Sequence, residues 1–401
     1  MDVVIEKSKA VGSLCAPPSK SMAHRLLICA ALSNGVSTVS NLAFSEDIKA
    51  TISCLKSLGA DIKVNNDKAT VKGIDFKNIK SDALFCNESG STLRFLIPIC
   101  ALFDTKICLR GTDRLLQRSF SVYEDLFKSQ GLLFEKDKNS ITVQGRLHSG
   151  DYTVPGDVSS QFISGLLFAL PLLEGDSVIK ITGNIESNSY ISLTVKALSQ
   201  FGIKIDRVDE HTLRIKGNQN FVSQNVRVEG DYSNAAFLDA FNLIGGNVQV
   251  NDLDENSVQG DKIYKSIYSQ IEGESVTVDI SDCPDLGPVL LALGAAKNGI
   301  TLTGTHRLKI KESDRGVAMA QELSKFGIEV INYENSIIVK KGKLKIPNSE
   351  LASHNDHRIV MSLAILCSIV GGEISEAQAI NKSFPNFFDE IQNLGIKIKV
   401  K

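Results

Sequence analysis

The stretch Ser19-Lys20-Ser21-Met22-Ala23-His24-Arg25 sets two hydroxyls, an ammonium and a guanidinium at the front of an apolar run that continues to Leu32. A helix N-terminus already carries partial positive charge, so Lys20 and Arg25 are misplaced there unless an anion lies against them. Free backbone N–H groups, hydroxyls and cations together make a phosphate or carboxylate site. Two more apolar runs begin with a cation, at Ser89-Gly90-Ser91-Thr92-Leu93-Arg94 and at Asn355-Asp356-His357-Arg358. Ser19 stands where a Gly-x-x-x-x-Gly-Lys loop would need glycine, which excludes a nucleotide P-loop.

Further charges lie outside these starts. Arg114 and Arg118 share one short segment, and residues 306–315 hold Arg307, Lys309, Lys311, Glu312, Asp314 and Arg315. Lys311 and Arg315 are like charges four residues apart, an unfavourable pair that a bound anion would relieve. Asp285, in Cys-Pro-Asp-Leu-Gly-Pro, and Lys382, in Asn-Lys-Ser-Phe-Pro, read as surface charges when taken singly. His354, Asp356 and His357 could be taken for metal ligands, but a third partner is missing. Capping by Asn355 and Asp356 is preferred, and no metal is expected.

These residues must be positioned by an internal repeat. Gly59, Gly131, Gly202, Gly273, Gly327 and Gly395 recur at intervals of 72, 71, 71, 54 and 68 residues. Each follows an amphipathic helix, such as the one carrying Ile48, Ile52 and Leu55, and precedes β-branched alternation. The pattern predicts a left-handed helix stop and then one or two strands in each of six copies, a two-stranded hairpin where the alternation is long enough, as at 203–217 and 328–342. A second helix per copy, at 24–33, 92–102, 160–169, 234–244, 286–296 and 357–370, is apolar on nearly every side and must be buried. Its start carries Ser, Asp or Asn as N-cap in five copies, and Asp285 is expected to take that place in the other. Three copies per domain follow, with buried helices inside and sheets and amphipathic helices around them. A boundary falls within residues 224–234. The N-terminal strand within residues 3–14 would, if it joined the C-terminal copies, make the chain cross between domains twice, near Pro17 and near Glu229, forming a hinge.

The chain has 401 residues, long enough for two domains, with 44 basic and 46 acidic side chains. No global positive field exists, so neither nucleic acid nor a membrane surface is expected as partner. The eight cysteines form no Cys-x-x-Cys pair and mostly sit in apolar runs, which favours reduced thiols and the cytoplasm. No apolar stretch reaches the about 20 residues that a membrane span needs.

Taken together, Ser19 to Arg25, Glu88 to Phe95, Val158 to Phe162, Lys311 to Arg315, Asn355 to Arg358 and Lys382 to Phe388 closely resemble the 5-enolpyruvylshikimate-3-phosphate synthases, or 3-phosphoshikimate 1-carboxyvinyltransferases. The resemblance runs from about Pro17 to Phe388. It implies an α/β fold of two similar domains, each of three βαβαββ units in an inside-out α/β barrel, closing over an interdomain cleft. On this basis residues 1–16 plus 229–401 form a discontinuous domain and residues 17–228 an inserted one. The implied reaction moves the enolpyruvyl group of phosphoenolpyruvate to the 5-hydroxyl of shikimate 3-phosphate, with release of phosphate and no cofactor. Both substrates are anions. The resemblance assigns Lys20, Ser21, Arg25, Ser159, Ser160, Gln161, Ser187, Tyr190, Asp285 and Lys311 to shikimate 3-phosphate. It assigns Lys20, Gly90, Arg114, Gln161, Arg315, Arg358 and Lys382 to phosphoenolpyruvate. Asp285 would take the hydroxyl proton and Glu312 would transfer protons at the methylene carbon, with Lys20 and Lys382 beside the reacting atoms. A cytoplasmic monomer is expected, open when free and closed by substrate.

Two departures stand out. Asn87-Glu88-Ser89-Gly90-Ser91-Thr92 places an acid where many members have none, which bears on donor affinity and on response to glyphosate, the family's inhibitor. Arg307 replaces a common asparagine. The sister UDP-N-acetylglucosamine enolpyruvyl transferases carry a cysteine in the loop corresponding to Arg114–Arg118, and this chain has none there. A binding protein without chemistry would not need Asp285 and Glu312, and an RNA-end-processing relative would want a basic surface.

Overall fold

The computed structural model describes residues 1–76 and 79–401. The chain separates into two compact units, Met1–Pro17 with Gly230–Lys401, and Pro18–Glu229. The inserted unit shows the repeat in its regular form. In its third copy, Asp151–Pro155 pairs parallel with Ser177–Thr182, which pairs antiparallel with Thr212–Ile215, itself bonded to Ile205–Arg207. The parallel pair needs a crossover, supplied by the buried helix Ser160–Ala169; the last two strands form the hairpin. The same order recurs in four other sheets.

All six apolar helices are present, at Lys20–Leu32, Gly90–Cys100, Ser160–Ala169, Tyr232–Leu243, Gly287–Ala296 and His357–Val370. Leu26, Leu93, Leu166, Phe237, Leu290 and Leu363 are among their fully buried side chains. Each such side chain contributes about 1.5–3 kcal/mol by leaving water. Ser19, Ser89, Ser159, Asp231 and Asp356 cap five of them, each side chain accepting from a backbone N–H of the first turn. The remaining cap differs from expectation. The Gly287–Ala296 helix is entered through a 3-10 turn, Pro284–Leu286, and has no side-chain cap, so Asp285 is left with its carboxylate for other partners.

The fourth copy departs as well. Gly59, Gly131, Gly202, Gly327 and Gly395 have positive φ, but Gly273 does not, and no hairpin follows it. The chain runs straight into Val276–Asp279, the first strand of the next sheet. The missing hairpin accounts for the short 54-residue interval between Gly273 and Gly327.

The N-terminal segment forms two strands, both in the discontinuous unit. Val3–Glu6 bonds to Lys397–Val400 and completes the last sheet, while Val11–Cys15 runs parallel to Asn247–Asn251. Asn225–Arg227, just ahead of the other crossing, runs parallel to Val36–Ser40 in the inserted unit. At each crossing the chain lays down a leading strand in one unit before starting the next buried helix in the other.

Candidate active site: two sets of charged helix starts

In the inserted unit, Arg25 is held by three donations: Nε to Thr194 Oγ1 at 2.8 Å, one terminal nitrogen to the Ser21 carbonyl at 2.7 Å, the other to the Tyr190 carbonyl at 3.0 Å. Its guanidinium lies 5.0 Å from the Phe95 ring centre and 6.0 Å from that of Tyr190. Burial lowers its pKa to about 10, yet it stays charged at neutral pH. A desolvated guanidinium attracts an anion more strongly than a solvated one. Lys20 donates to Asp47 at 2.9 Å, an acid in the first turn of the Glu46–Ser57 helix.

The starts of the first two buried helices are tied by a hydroxyl chain. His24 Nδ1 lies 2.7 Å from Thr51 Oγ1, which lies 2.6 Å from Thr92 Oγ1, which donates to Ser89 Oγ at 2.7 Å. Burial, then Lys20 and Arg25, hold His24 well below the usual histidine range, so it is neutral. Gln161 links the second and third starts: its Oε1 accepts from Arg94 at 2.7 Å and its Nε2 donates to Ser91 at 3.0 Å. Ser159 caps the helix opening at Ser160, and both serines are buried. Ser187 precedes the Asn188–Gln200 helix at φ 55°, and Tyr190 lies in that helix's first turn.

Gly90 opens the second buried helix, and a Cβ there would lie 2.7 Å from a terminal nitrogen of Arg118. The absent side chain thus admits a guanidinium to the helix start. Arg114 is exposed, one turn earlier on the short Asp113–Leu116 helix. Of the two arginines in this segment, Arg118 is therefore the one beside Gly90, whereas the resemblance had selected Arg114. Their four-residue spacing gave no ground for choosing between them.

In the discontinuous unit, Asp285 stands in a ring of three cations. Its Oδ1 accepts from Arg315 at 2.8 Å and from Lys311 at 3.1 Å, and its Oδ2 from Arg358 at 3.1 Å. Burial would raise its pKa, but Arg358, Lys311 and Arg315 outweigh burial and hold it well below the usual carboxylate range. Arg315, fully buried, also donates to Asp356 at 2.9 Å and to Glu312 at 2.7 Å. Burial opposes its charge, and Asp356, Glu312 and Asp285 together more than restore it. Lys311 is pulled down by burial and by Arg307 and Arg315, against the opposing pull of Asp285 and Glu312. Lys382 donates to the Asn355 carbonyl at 2.6 Å, in the loop that leads to Asp356 and Arg358.

One buried acid of this set escaped sequence reasoning. Asp261 sits in the 3-10 turn Gly260–Ile263, buried, with its Oδ1 lacking a hydrogen-bond partner among the described residues. Burial, followed by the Asp285 charge, pushes its pKa up to about 7. It contacts Ser233, which accepts from Arg358 at 2.6 Å. A lone Asp after Gln-Gly carries no distinguishing local pattern. Among the described residues no group of three or more His, Cys, Asp or Glu is placed to hold a metal ion, and no helix is long and apolar enough to cross a membrane.

Comparison with known proteins gives the family and the fold. The protein-family model described as EPSP synthase (3-phosphoshikimate 1-carboxyvinyltransferase) matches residues 5–391. A 3-phosphoshikimate 1-carboxyvinyltransferase of Clostridium kluyveri is 42% identical over 417 residues, covering 99% of this chain and 98% of the relative. One from Clostridium novyi is 41% identical over 425 residues, covering 98% and 97%. A solved EPSP synthase from Acinetobacter baumannii superposes with a TM-score of 0.81 over 100% of this chain and 99% of that one, at 22% identity, and supports the fold. With the family model spanning nearly the whole chain and full-length relatives above 40% identity, this chain belongs to the EPSP synthase family.

Proposed function

We propose that this chain transfers the carboxyvinyl group of phosphoenolpyruvate to the 5-hydroxyl of shikimate 3-phosphate, releasing phosphate, and that it acts as a cytoplasmic monomer. The observation that carries the chemistry is Asp285, a buried carboxylate bonded to Lys311, Arg315 and Arg358. A carboxylate so surrounded is a weak base, because the three cations stabilise its charge. Anionic substrates compete for those cations. As phosphate and carboxylate groups draw Lys311, Arg315 and Arg358 away, Asp285 regains basicity where a hydroxyl is to be deprotonated. Substrate binding thereby switches on the base.

In the addition step the 5-oxygen bonds to C2 of phosphoenolpyruvate, its proton passes to Asp285, and C3 takes a proton from Glu312. In the elimination step the C2–phosphate oxygen bond breaks, C3 returns a proton to Glu312, the double bond re-forms, and the departing phosphate takes the proton held by Asp285. Arg315 and Arg358, with Lys382, compensate charge on the donor's carboxylate and phosphate. In the inserted unit Lys20, Gly90, Gln161 and Arg118, the last in place of Arg114, serve the donor. Lys20, Ser21, Arg25, Ser159, Ser160, Gln161, Ser187 and Tyr190, with Asp285 and Lys311, serve the acceptor. Glu88 adds negative charge next to the donor residues and is expected to raise the donor KM.

Phosphate release measured with phosphoenolpyruvate and either shikimate 3-phosphate or UDP-N-acetylglucosamine tests the acceptor. Release with the shikimate ester alone is expected, and release only with the sugar nucleotide would overturn the assignment.

A further inference from the structure

His354 and Asn355 both have positive φ, at 52° and 53°. They are the central residues of a turn closed by the Asp356 N–H donating to the Ser353 carbonyl at 3.0 Å. Two left-handed residues in succession are the signature of a type I′ turn, ordinarily a glycine and asparagine conformation, and a histidine is retained there only against a restoring strain. The restraint on His354 is visible. Its Nε2 lies 2.8 Å from Oε1 of Glu322, a carboxylate on the far turn of the Arg315–Lys325 helix and 1% exposed. The other oxygen of Glu322 accepts from the Ala352 N–H at 3.0 Å, and Lys325 Nζ contacts both oxygens, at 3.0 and 2.8 Å. Lys325 also donates to the Glu350 carbonyl at 2.9 Å.

The other end of the same helix begins with Arg315, whose Nε donates to Asp356. Residues 350–356 are therefore clamped at both ends by one helix. The clamped turn delivers two contacts to the charged set. The Asn355 carbonyl, aimed by the left-handed backbone, accepts from Lys382, and Asp356 holds Arg315 and the N–H of Arg358.

We infer that Glu322 is a positioning residue that, through His354, keeps the turn left-handed and so holds Lys382, Arg315 and Arg358 where the donor's anionic groups bind. The inference rests on the donor assignment proposed above. Neither Glu322 nor His354 is among the residues assigned to a substrate above. Releasing His354 lets residues 354 and 355 relax to negative φ, which turns the Asn355 carbonyl away from Lys382. The loss falls on binding of phosphoenolpyruvate, whereas the acceptor's contacts in the inserted unit are untouched.

The test compares His354→Ala, Glu322→Gln and the conservative His354→Gln, whose amide nitrogen can still donate to Glu322. The expected result is a rise of about tenfold in the KM for phosphoenolpyruvate with His354→Ala, a charged hydrogen bond's worth, and little change in the KM for shikimate 3-phosphate. His354→Gln restores most of the loss, and Glu322→Gln shows the same donor-specific direction. Loss of folded protein would instead lower kcat with both KM values unchanged, and that outcome, or His354→Gln behaving like His354→Ala, overturns the inference. A second readout needs no turnover: amide hydrogen exchange should accelerate over residues 352–358 in His354→Ala, and unchanged exchange there overturns the inference independently. Wild-type protein silent with both substrates would refute the reaction and leave the exchange result to decide the anchor.

Discussion

At the scale of single residues, the site is an arrangement of cations that need anions and acids that those cations restrain. The misplaced charges at Lys20, Arg25, Arg94 and Arg358 were legible because helix starts repel cations, a rule that needs no structure. Arg118 and Asp261 were not, because their roles depend on which side of a turn each side chain faces. Asp261 leads to a pH prediction. Its folded pKa of about 7 lies above the value of an unfolded aspartate, so its contribution to stability is fully present at low pH and is lost as pH rises toward and through 7. Asp285 and Asp356 have depressed values and act in the opposite sense, losing their contribution only as pH falls through the acid range. His24, held below the ordinary histidine value, loses its contribution as pH falls through that value and so acts in the same window with the opposite sign. Asp261 is therefore read as the difference between wild type and variant in chemical denaturation between pH 5 and 8. The Asp261→Asn variant should gain on wild type as pH rises from 5 through about 7 and level off above it; parallel curves would show that Asp261 does not titrate there.

At the scale of elements, the buried helices bring charged residues together because their backbones pack closely. Pro98 lies inside the Gly90–Cys100 helix and has no N–H to donate to the carbonyl of Arg94, four residues earlier. The Tyr123 hydroxyl fills that gap, 2.9 Å from the Arg94 oxygen and 3.0 Å from that of Phe162. Gly165 on the facing Ser160–Ala169 helix makes the approach possible, since a Cβ there would lie 2.2 Å from that hydroxyl and 2.6 Å from the same carbonyl. One tyrosine thus joins the helix that presents Arg94 to the helix start that presents Gln161. Tyr123→Phe leaves the Arg94 carbonyl buried without its donor and should cost about 1–3 kcal/mol of stability by denaturant titration. A loss below about 0.5 kcal/mol would mean that another donor serves this carbonyl. The periodicity of these helices and the glycine stops were readable in advance, as were five of the six caps. The cap role given to Asp285 was not met, because Pro284 and Pro288 set that helix start through a 3-10 turn. Freed from capping, the same carboxylate receives three cations.

At the scale of the whole chain, the repeat announced itself through glycine spacing, and the one irregular interval marked the copy whose glycine is followed directly by the next sheet. The crossings near Pro17 and Glu229 were foreseeable from the N-terminal strand, but the leading strand that each crossing leaves behind was not. Pairing of Val11–Cys15 with Asn247–Asn251 and of Asn225–Arg227 with Val36–Ser40 joins residues far apart in sequence, and local patterning carries no record of such partners. We propose that the two units are domains and that turnover requires charged residues from both. The central claim is that Asp285 becomes a base when substrate anions take up its cations. Its most direct test is formation of the carboxyvinyl ether from phosphoenolpyruvate and shikimate 3-phosphate by wild-type protein and by Asp285→Asn, an isostere that cannot accept the proton. Transfer by wild type and a fall in kcat of about 10²–10⁴-fold in the variant is the predicted result. A variant that turns over at the wild-type rate would contradict it.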